Sequence, residues 1–252
     1  MFSPEAKHWA NKRTSGQHLA HEMLEKPAMQ NLLPDLTGQK VLSIGCGSGE
    51  ELAMLVQSGG ANITGIDTSL ELLEQARFNF PNSNFQVMDA QYLDFEGQTF
   101  DFVYSSLTLH YLANWPEFFG RLKQVCNPGT EFIFSIHHPI KWGGRTTRTK
   151  AYNEFLMGYK KDKVDSSKFE VYGDYLNFRA VEDRLFGQFN ITYYHRSIGQ
   201  MLDEIRVSGW ELIRLVEPGP LESTKISKPD FYQTYSRIPL FLILMVKLSD
   251  SN

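Results

Sequence analysis

Three glycines at every second position close the first apolar run of this chain, and they restrict what the surrounding segment can be. Residues 38–67 read GQKVLSIGCGSGEELAMLVQSGGANITGID. Val41, Leu42 and Ile44 make a short strand, Gly45, Gly47 and Gly49 a tight turn, and residues 50–58 a helix that Gly59 and Gly60 end. Glycine belongs in such a turn because it reaches backbone angles closed to other residues and leaves no side chain between backbone and ligand. A second apolar run ends in Asp67, where a carboxylate can accept hydrogens from both hydroxyls of a ribose. The sixth place of the turn, where dinucleotide-binding turns want glycine, holds Glu50. Its charge would face a pyrophosphate laid on the helix start, so nicotinamide and flavin dinucleotides are disfavoured.

The strand-helix rhythm continues. Thr68 or Ser69 can cap a helix carrying Leu72, Leu73 and Ala76 at helical spacing. FQVMDA is a third strand with Asp89 at its end, and FDFVYSS a fourth. Residues 115–125 form a helix entered at Asn114 and stopped by NPG, and TEFIFSIHH is a fifth strand. Alternation of this kind predicts a doubly wound, Rossmann-like α/β fold: a mostly parallel sheet, helices on both faces, ligands at the carboxyl ends of the strands. Asp67, Asp89, Ser105 and His137 all fall at such ends.

With LSIGCGSGE, GIDTS at the second strand and MDAQYL after the third, the chain resembles the class I S-adenosylmethionine-dependent methyltransferases. It is most similar to the small-molecule branch around ubiquinone and menaquinone biosynthesis. The resemblance covers residues 38–137 and 197–247. It implies a seven-stranded sheet whose last strand is antiparallel, and S-adenosyl-L-methionine as cofactor with S-adenosyl-L-homocysteine as product. The glycine turn would then line the methionine half of the cofactor, which has no phosphate to neutralise, so an acidic Glu50 is tolerable.

Four segments follow. Residues 1–37, with Trp9, HLAHEMLEK and Pro27, predict short helices, which the resemblance would lay across the cleft as a lid; Trp9 and Arg13 could equally pack the outside of the sheet. Residues 38–138 form the cofactor-binding half of the core. Residues 139–196 lose the strand-helix rhythm for too long to be a plain connection, and predict an inserted α+β cap over the substrate. Within it, residues 152–168 are polar and helix-prone, while FEVYGDYLNFRAV and GQFNITYYHRS alternate as strands. Residues 197–252 return to the core through a helix, a strand from Trp210, the loop EPGPLESTKISKP and a helix-free return to a last strand over residues 238–247.

Under the resemblance, Gly45, Cys46, Gly47, Gly49, Asp67, Thr68, Asp89, Ala90 and Ser105 bind the cofactor. Asp67 meets the ribose, Asp89 the adenine amino group, and the Ala90 N–H a ring nitrogen. SSLTLHYL, residues 105–112, would put His110 and Tyr111 towards the methyl group. Adjacent histidines on an extended chain point opposite ways, so one of His137 and His138 enters the site. Tyr194, His195 and Arg196 precede the helix opened by Ser197; His195 is the candidate general base, and Arg196 could orient a carboxylate. His110, Tyr194 and His137 complete the catalytic candidates, and packing roles for them stay open. No HxxxH or HxH spacing supports a metal site, and none is expected.

Lys and Arg total 25 against 29 Asp and Glu, a net charge of -4, which speaks against a nucleic-acid partner. Two cysteines cannot make a four-ligand zinc site, and a reducing, cytoplasmic setting is expected. No apolar run is long enough to span a membrane. The expected partner is a small-molecule acceptor methylated on O, N or C, with the chain a monomer or homodimer. RNA or protein methylation, and cofactor binding without turnover, are the alternatives.

Overall fold

The computed structural model describes residues 19–148, 153–165, 167–185 and 189–249. Trp9 and Arg13 lie outside the described residues. Within the N-terminal region, a π-helical turn His21–Glu25 runs into α1 (Lys26–Gln30).

Seven strands build one sheet: β1 (Lys40–Ile44), β2 (Asn62–Asp67), β3 (Asn84–Val87), β4 (Phe100–Ser105), β5 (Cys126–His137), β12 (Trp210–Val216) and β13 (Phe241–Leu248). Their order is β12-β13-β5-β4-β1-β2-β3. β1 pairs in parallel with β2 on one side and with β4 on the other, Val41 standing between Ile63 and Phe102. β13 runs antiparallel to both β5 and β12. The chain therefore leaves β1 towards one edge and returns at β4 to build the other. That reversal opens a crevice at the carboxyl ends of β1 and β4, the place where open α/β sheets bind ligands.

Alternation along the strands sorts the core into two layers. Val41, Phe102, Tyr104 and Ile133 face α1, α2 (Leu52–Gln57) and α3 (Leu70–Asn79), burying Met29, Leu55, Leu73 and Ala76. Leu42, Ile44, Val103, Phe132 and Phe134 face α4 (Trp115–Gln124) and α6 (Ile198–Val207), where Trp115, Phe118, Phe119 and Trp210 pack edge to face. Asn114, Ser69 and Ser197 cap their helices through side-chain oxygens, as these residue types do for otherwise unbonded N–H groups.

Between β5 and α6 lie a helical turn α5 (Ile140–Gly143) and three antiparallel hairpins outside the main sheet. These are β6 (Arg145–Arg148) with β7 (Asn153–Leu156), β8 (Gly158–Lys161) with β9 (Phe169–Tyr172), and β10 (Arg179–Leu185) with β11 (Phe189–His195).

Three expectations need correction. The described part of residues 152–168 holds β7, β8 and the turn to β9, and no helix: Gly158 at φ +124° breaks helical continuity, and Tyr159 packs edge to face on Phe169 across the ladder. The segment before β13 is not helix-free, because α7 (Thr224–Ser227) and α8 (Pro229–Tyr235) occupy it. Pro229 starts α8, where its missing N–H costs nothing; α8 buries no side chain, so it left no apolar period to read. NPG does not follow the helix as a separate stop. It lies inside β5 as a bulge, at which β4 advances two residues (Phe100 to Phe102) while β5 advances five (Cys126 to Glu131).

Candidate active site

At the crevice the glycine turn folds back on β2 through Asp67. The Gly47 N–H donates to Asp67 Oδ2 at 3.0 Å and the Ser69 N–H to Oδ1 at 2.9 Å. Burial is the largest influence on this carboxyl and raises its pKa from the ordinary carboxylate value, against the N–H groups of Ser69, Gly47 and Thr68, which favour the anion. Each oxygen keeps a further lone pair. Gly45, Gly47 and Gly49 have φ of +67°, +53° and +85°. A Cβ at Gly47 would meet nothing within 4 Å, so that side of the turn is open. The turn and its carboxylate thus fit a nucleoside whose ribose meets Asp67.

The other cofactor candidates divide. Asp89 lies two residues past the end of β3, where Oδ1 caps a 3-10 turn by accepting from the Gln91 N–H. Ala90 is buried in the core. The Cys46 thiol is buried against Gly65, and burial pushes its pKa up, so this residue offers backbone and not thiolate. The Ser105 hydroxyl, buried, donates to the Ile44 carbonyl at 2.9 Å inside the sheet, so what this residue offers a ligand is its backbone.

The segment after β4 joins this turn to a second cluster. Leu107 takes φ +51°, uncommon without glycine, and its N–H is held by the Ser135 carbonyl. Thr108 follows against Gly45. His110 comes next, in a 3-10 turn, 4.9 Å between ring centroids from His137, with Trp142 stacked on Tyr193 beside them. Burial pushes His110 down to about 3 and holds His137 well below the ordinary histidine value, with Lys141 adding to both. Both rings are neutral and weak as bases. His138 points the other way, to Glu217 at 2.8 Å.

His195 differs. Its Nε2 lies 2.9 Å from the Tyr175 carbonyl oxygen, which can only accept. Nε2 therefore carries the proton in the neutral ring. Burial lowers the His195 pKa, so the ring is neutral at pH 7 and Nδ1 bears a lone pair with no protein partner. Tyr194, half-buried, stacks on Phe178. The carboxylate that Arg196 meets is the protein's own Glu204, at 2.8 Å from Nε, while Nη2 donates to the Ala113 carbonyl. A groove of about 470 Å³ lies on the β8–β9 hairpin, lined by Met157, Phe169 and Val171 among others. No residue from the ends of β1, β2, β4 or β5 lines it, and it brings no candidate base to a ligand.

Some neighbours had gone unnoticed in the sequence. Trp142 and Lys141 follow the His-His-Pro at the end of β5, and that position was the available signal. His21 and Glu25, four apart on a helix, enclose a cluster with Glu51: His21 Nδ1 is 2.8 Å from Glu25 and Nε2 is 2.9 Å from Glu51. The three could hold a metal ion by their spacing, but both ring nitrogens are committed to carboxylates, and the imidazolium supplies the balancing charge.

Strand order, glycine turn and Asp67 together define a nucleoside-cofactor enzyme of the Rossmann-like class. Residues 42–134 match the family model described as a methyltransferase domain. A Mesorhizobium loti S-adenosylmethionine-dependent methyltransferase has a similar structure, with a TM-score of 0.72 at 24% identity over 88% of this chain and 96% of that one, a likeness of fold. An uncharacterized protein of Haemophilus influenzae is 26% identical over 79% of this chain and 77% of its own length. The trans-aconitate 2-methyltransferase of Deinococcus radiodurans is 34% identical over 50% of this chain and 49% of its own length. Residues 42–134 are thus a methyltransferase domain, on the fold shared with S-adenosylmethionine-dependent methyltransferases. Its methyl donor is S-adenosylmethionine. Among the described residues, no helix is long and apolar enough to cross a membrane.

Proposed function

We propose that this protein methylates a small-molecule acceptor bound between the ends of β4 and β5 and the β10–β11 hairpin. The observation that carries the proposal is the path Gly45–Thr108–His110, which puts the glycine turn and the histidine cluster on either side of one short segment. Similarity to a trans-aconitate methyltransferase, named for a small acid, supports it.

In this reading Asp67 takes the ribose hydroxyls, the backbone from Gly45 to Gly49 lines the methionine part, Thr68 borders the ribose, and Asp89 with the Ala90 N–H meets the adenine. When bound, S-adenosylmethionine supplies a methyl group on a sulfonium, open to in-line attack. The protein's contribution is alignment and exclusion of water, for which the buried rings of His110, Trp142 and Tyr193, with His137 packed against them, are suited. His195 Nδ1 takes a proton from the acceptor where the attacking atom carries one, and the Tyr175 carbonyl holds the ring in the tautomer for it. Tyr194 and Arg196 border the acceptor.

Calorimetry of S-adenosylmethionine and S-adenosylhomocysteine on wild type and Asp67→Ala tests the cofactor half. The expected loss in the variant is about 2 kcal/mol, the scale of a hydrogen bond to a charged group. Equal binding by both proteins would remove Asp67 from the site. Transfer of labelled methyl to a panel of small acids, alcohols and amines tests the acceptor half; labelling of RNA or protein and of no small molecule would overturn it.

A further inference from the structure

We infer that the acceptor is a carboxylic acid bound as its anion, recognised by Arg196 and Trp142. This deepens the small-molecule proposal and rests on it. A slot lined by His110, His137, Trp142, His195 and Arg196, with Trp115 and Met201 below, encloses about 220 Å³ including its mouth. About 10 Å³ of it is open to the centre of a water molecule. A space that narrow takes a small head group and leaves the rest of the molecule at the mouth.

The walls state what the head group is. Arg196 Nη1 and Trp142 Nε1 are buried and have no hydrogen-bond partner in the protein, and both can only donate. A buried donor left unmatched is costly, so such groups are ordinarily paired. Arg196 is 1% exposed and held on every other side: Nε on Glu204, Nη2 on the Ala113 carbonyl, its plane between the Trp115 and Phe178 rings at 5.0 and 4.9 Å. The guanidinium is fixed in place with one donor edge left for a ligand. Pre-fixed donors of this kind bind oxygen anions with little further ordering.

Charge points the same way. No acidic side chain lines the slot. Lys141 Nζ sits 4.9 Å over the Trp142 ring, and burial draws its pKa down to about 8, so it is still a cation at pH 7. A cationic amine would meet two donors and a positive field. Glu204 already offsets part of the Arg196 charge, so one negative charge suits the slot better than a phosphate dianion. His110 Nδ1 and Nε2 and His137 Nδ1 belong to lining residues and are unpartnered as well; the neutral His110 ring adds one N–H donor and one lone pair, and the His195 lone pair is left for the group that reacts.

The test uses benzoate and benzamide, and sorbate and sorbamide, on the full chain with and without saturating S-adenosylhomocysteine, read by tryptophan fluorescence and calorimetry. Each acid is expected to bind at least about tenfold more tightly than its amide, the scale of one charged hydrogen bond. Arg196→Lys and Trp142→Phe should each reduce that acid-to-amide ratio about tenfold with the nucleoside affinity unchanged. Trp142→Phe keeps a ring on Tyr193 and serves if the Arg196 variant does not fold. Amides binding as well as acids, benzylamine binding better than either, or a ratio unmoved by Trp142→Phe would overturn the inference. Absence of S-adenosylhomocysteine binding would instead sink the cofactor assignment, since the acid-to-amide ratio is also measured without the nucleoside.

Discussion

Thr108 stands where a side chain on Gly45 would have to go: a Cβ built on Gly45 comes 2.1 Å from Thr108 Oγ1 and 2.7 Å from its Cγ2. The glycine turn and the strained segment after β4 are in contact because one of them has no side chain. Gly45→Ala, at φ +67° and with that clash, should cost about 3 kcal/mol, or on the order of 10 °C in melting temperature. Thr108→Ala removes two of the three clashing atoms and should restore part of it in the double variant.

Gly47→Ala makes the contrast. Nothing lies within 4 Å of its Cβ, so only the left-handed backbone is strained, about 1 kcal/mol. Its S-adenosylhomocysteine affinity should still fall by at least about tenfold, because the methyl fills the space over the turn. Calorimetry showing unchanged affinity with a normal melt would place the ligand elsewhere.

His21 gives a pH-dependent stability. Burial alone would lower its pKa, but hydrogen bonds and charge from Glu25 and Glu51 win and raise it to about 10 from 6.5. A raised folded-state pKa stabilises fully below 6.5, and that contribution is lost as pH climbs through about 10. His21→Ala takes the shared counter-charge from Glu25 and Glu51, leaving Lys26 at 4.0 Å from Glu51 and hydroxyl donors on both, and should cost about 3 kcal/mol at pH 7. Urea midpoints at pH 7 and above 10 should show the gap between wild type and variant closing; a constant gap would mean that the ring is not charged there.

The His195 pKa is lowered, chiefly by burial. Methyl transfer to an acceptor whose attacking atom carries a proton should be flat from pH 7 to 8 and fall as pH drops below the ordinary histidine value of 6.5, where Nδ1 protonates. His195→Gln should lower kcat and abolish that acid limb. A limb that persists in the variant belongs to another group.

Trp210 is 1% exposed, packs edge to face on Phe119, and donates from Nε1 to the Phe119 carbonyl at 3.3 Å. Trp210→Ala opens the layer between β12 and α4 and should cost about 4 kcal/mol, read as a lowered denaturant midpoint at unchanged slope.

Legibility in the sequence followed the range of the interactions. β1, the turn, β2 and β4 could be read because an apolar period and glycine spacing act over a few residues; the helices capped by Asn114, Ser69 and Ser197 carried their own start signals. The helix-like reading of residues 152–168 failed because hairpin pairing there is settled across strands, Tyr159 with Phe169, and no local pattern reports it. That the Ser105 hydroxyl bonds inward to the Ile44 carbonyl is likewise a contact between strands that no local pattern reports.

By itself the sequence determined the glycine turn, the placement of Asp67 after the second strand and the order of strands and helices that makes the sheet. Tertiary structure alone decided which polar groups act. His110 and His137 became weak bases because burial strips water from their charged forms. His195 kept a free lone pair because a carbonyl 20 residues away, on Tyr175, claimed its other nitrogen. Arg196 was pinned by Glu204 and Ala113 with one edge unused. Desolvation and hydrogen-bond partnership are properties of what surrounds an atom, and the surroundings of these atoms come from stretches of chain far apart in sequence.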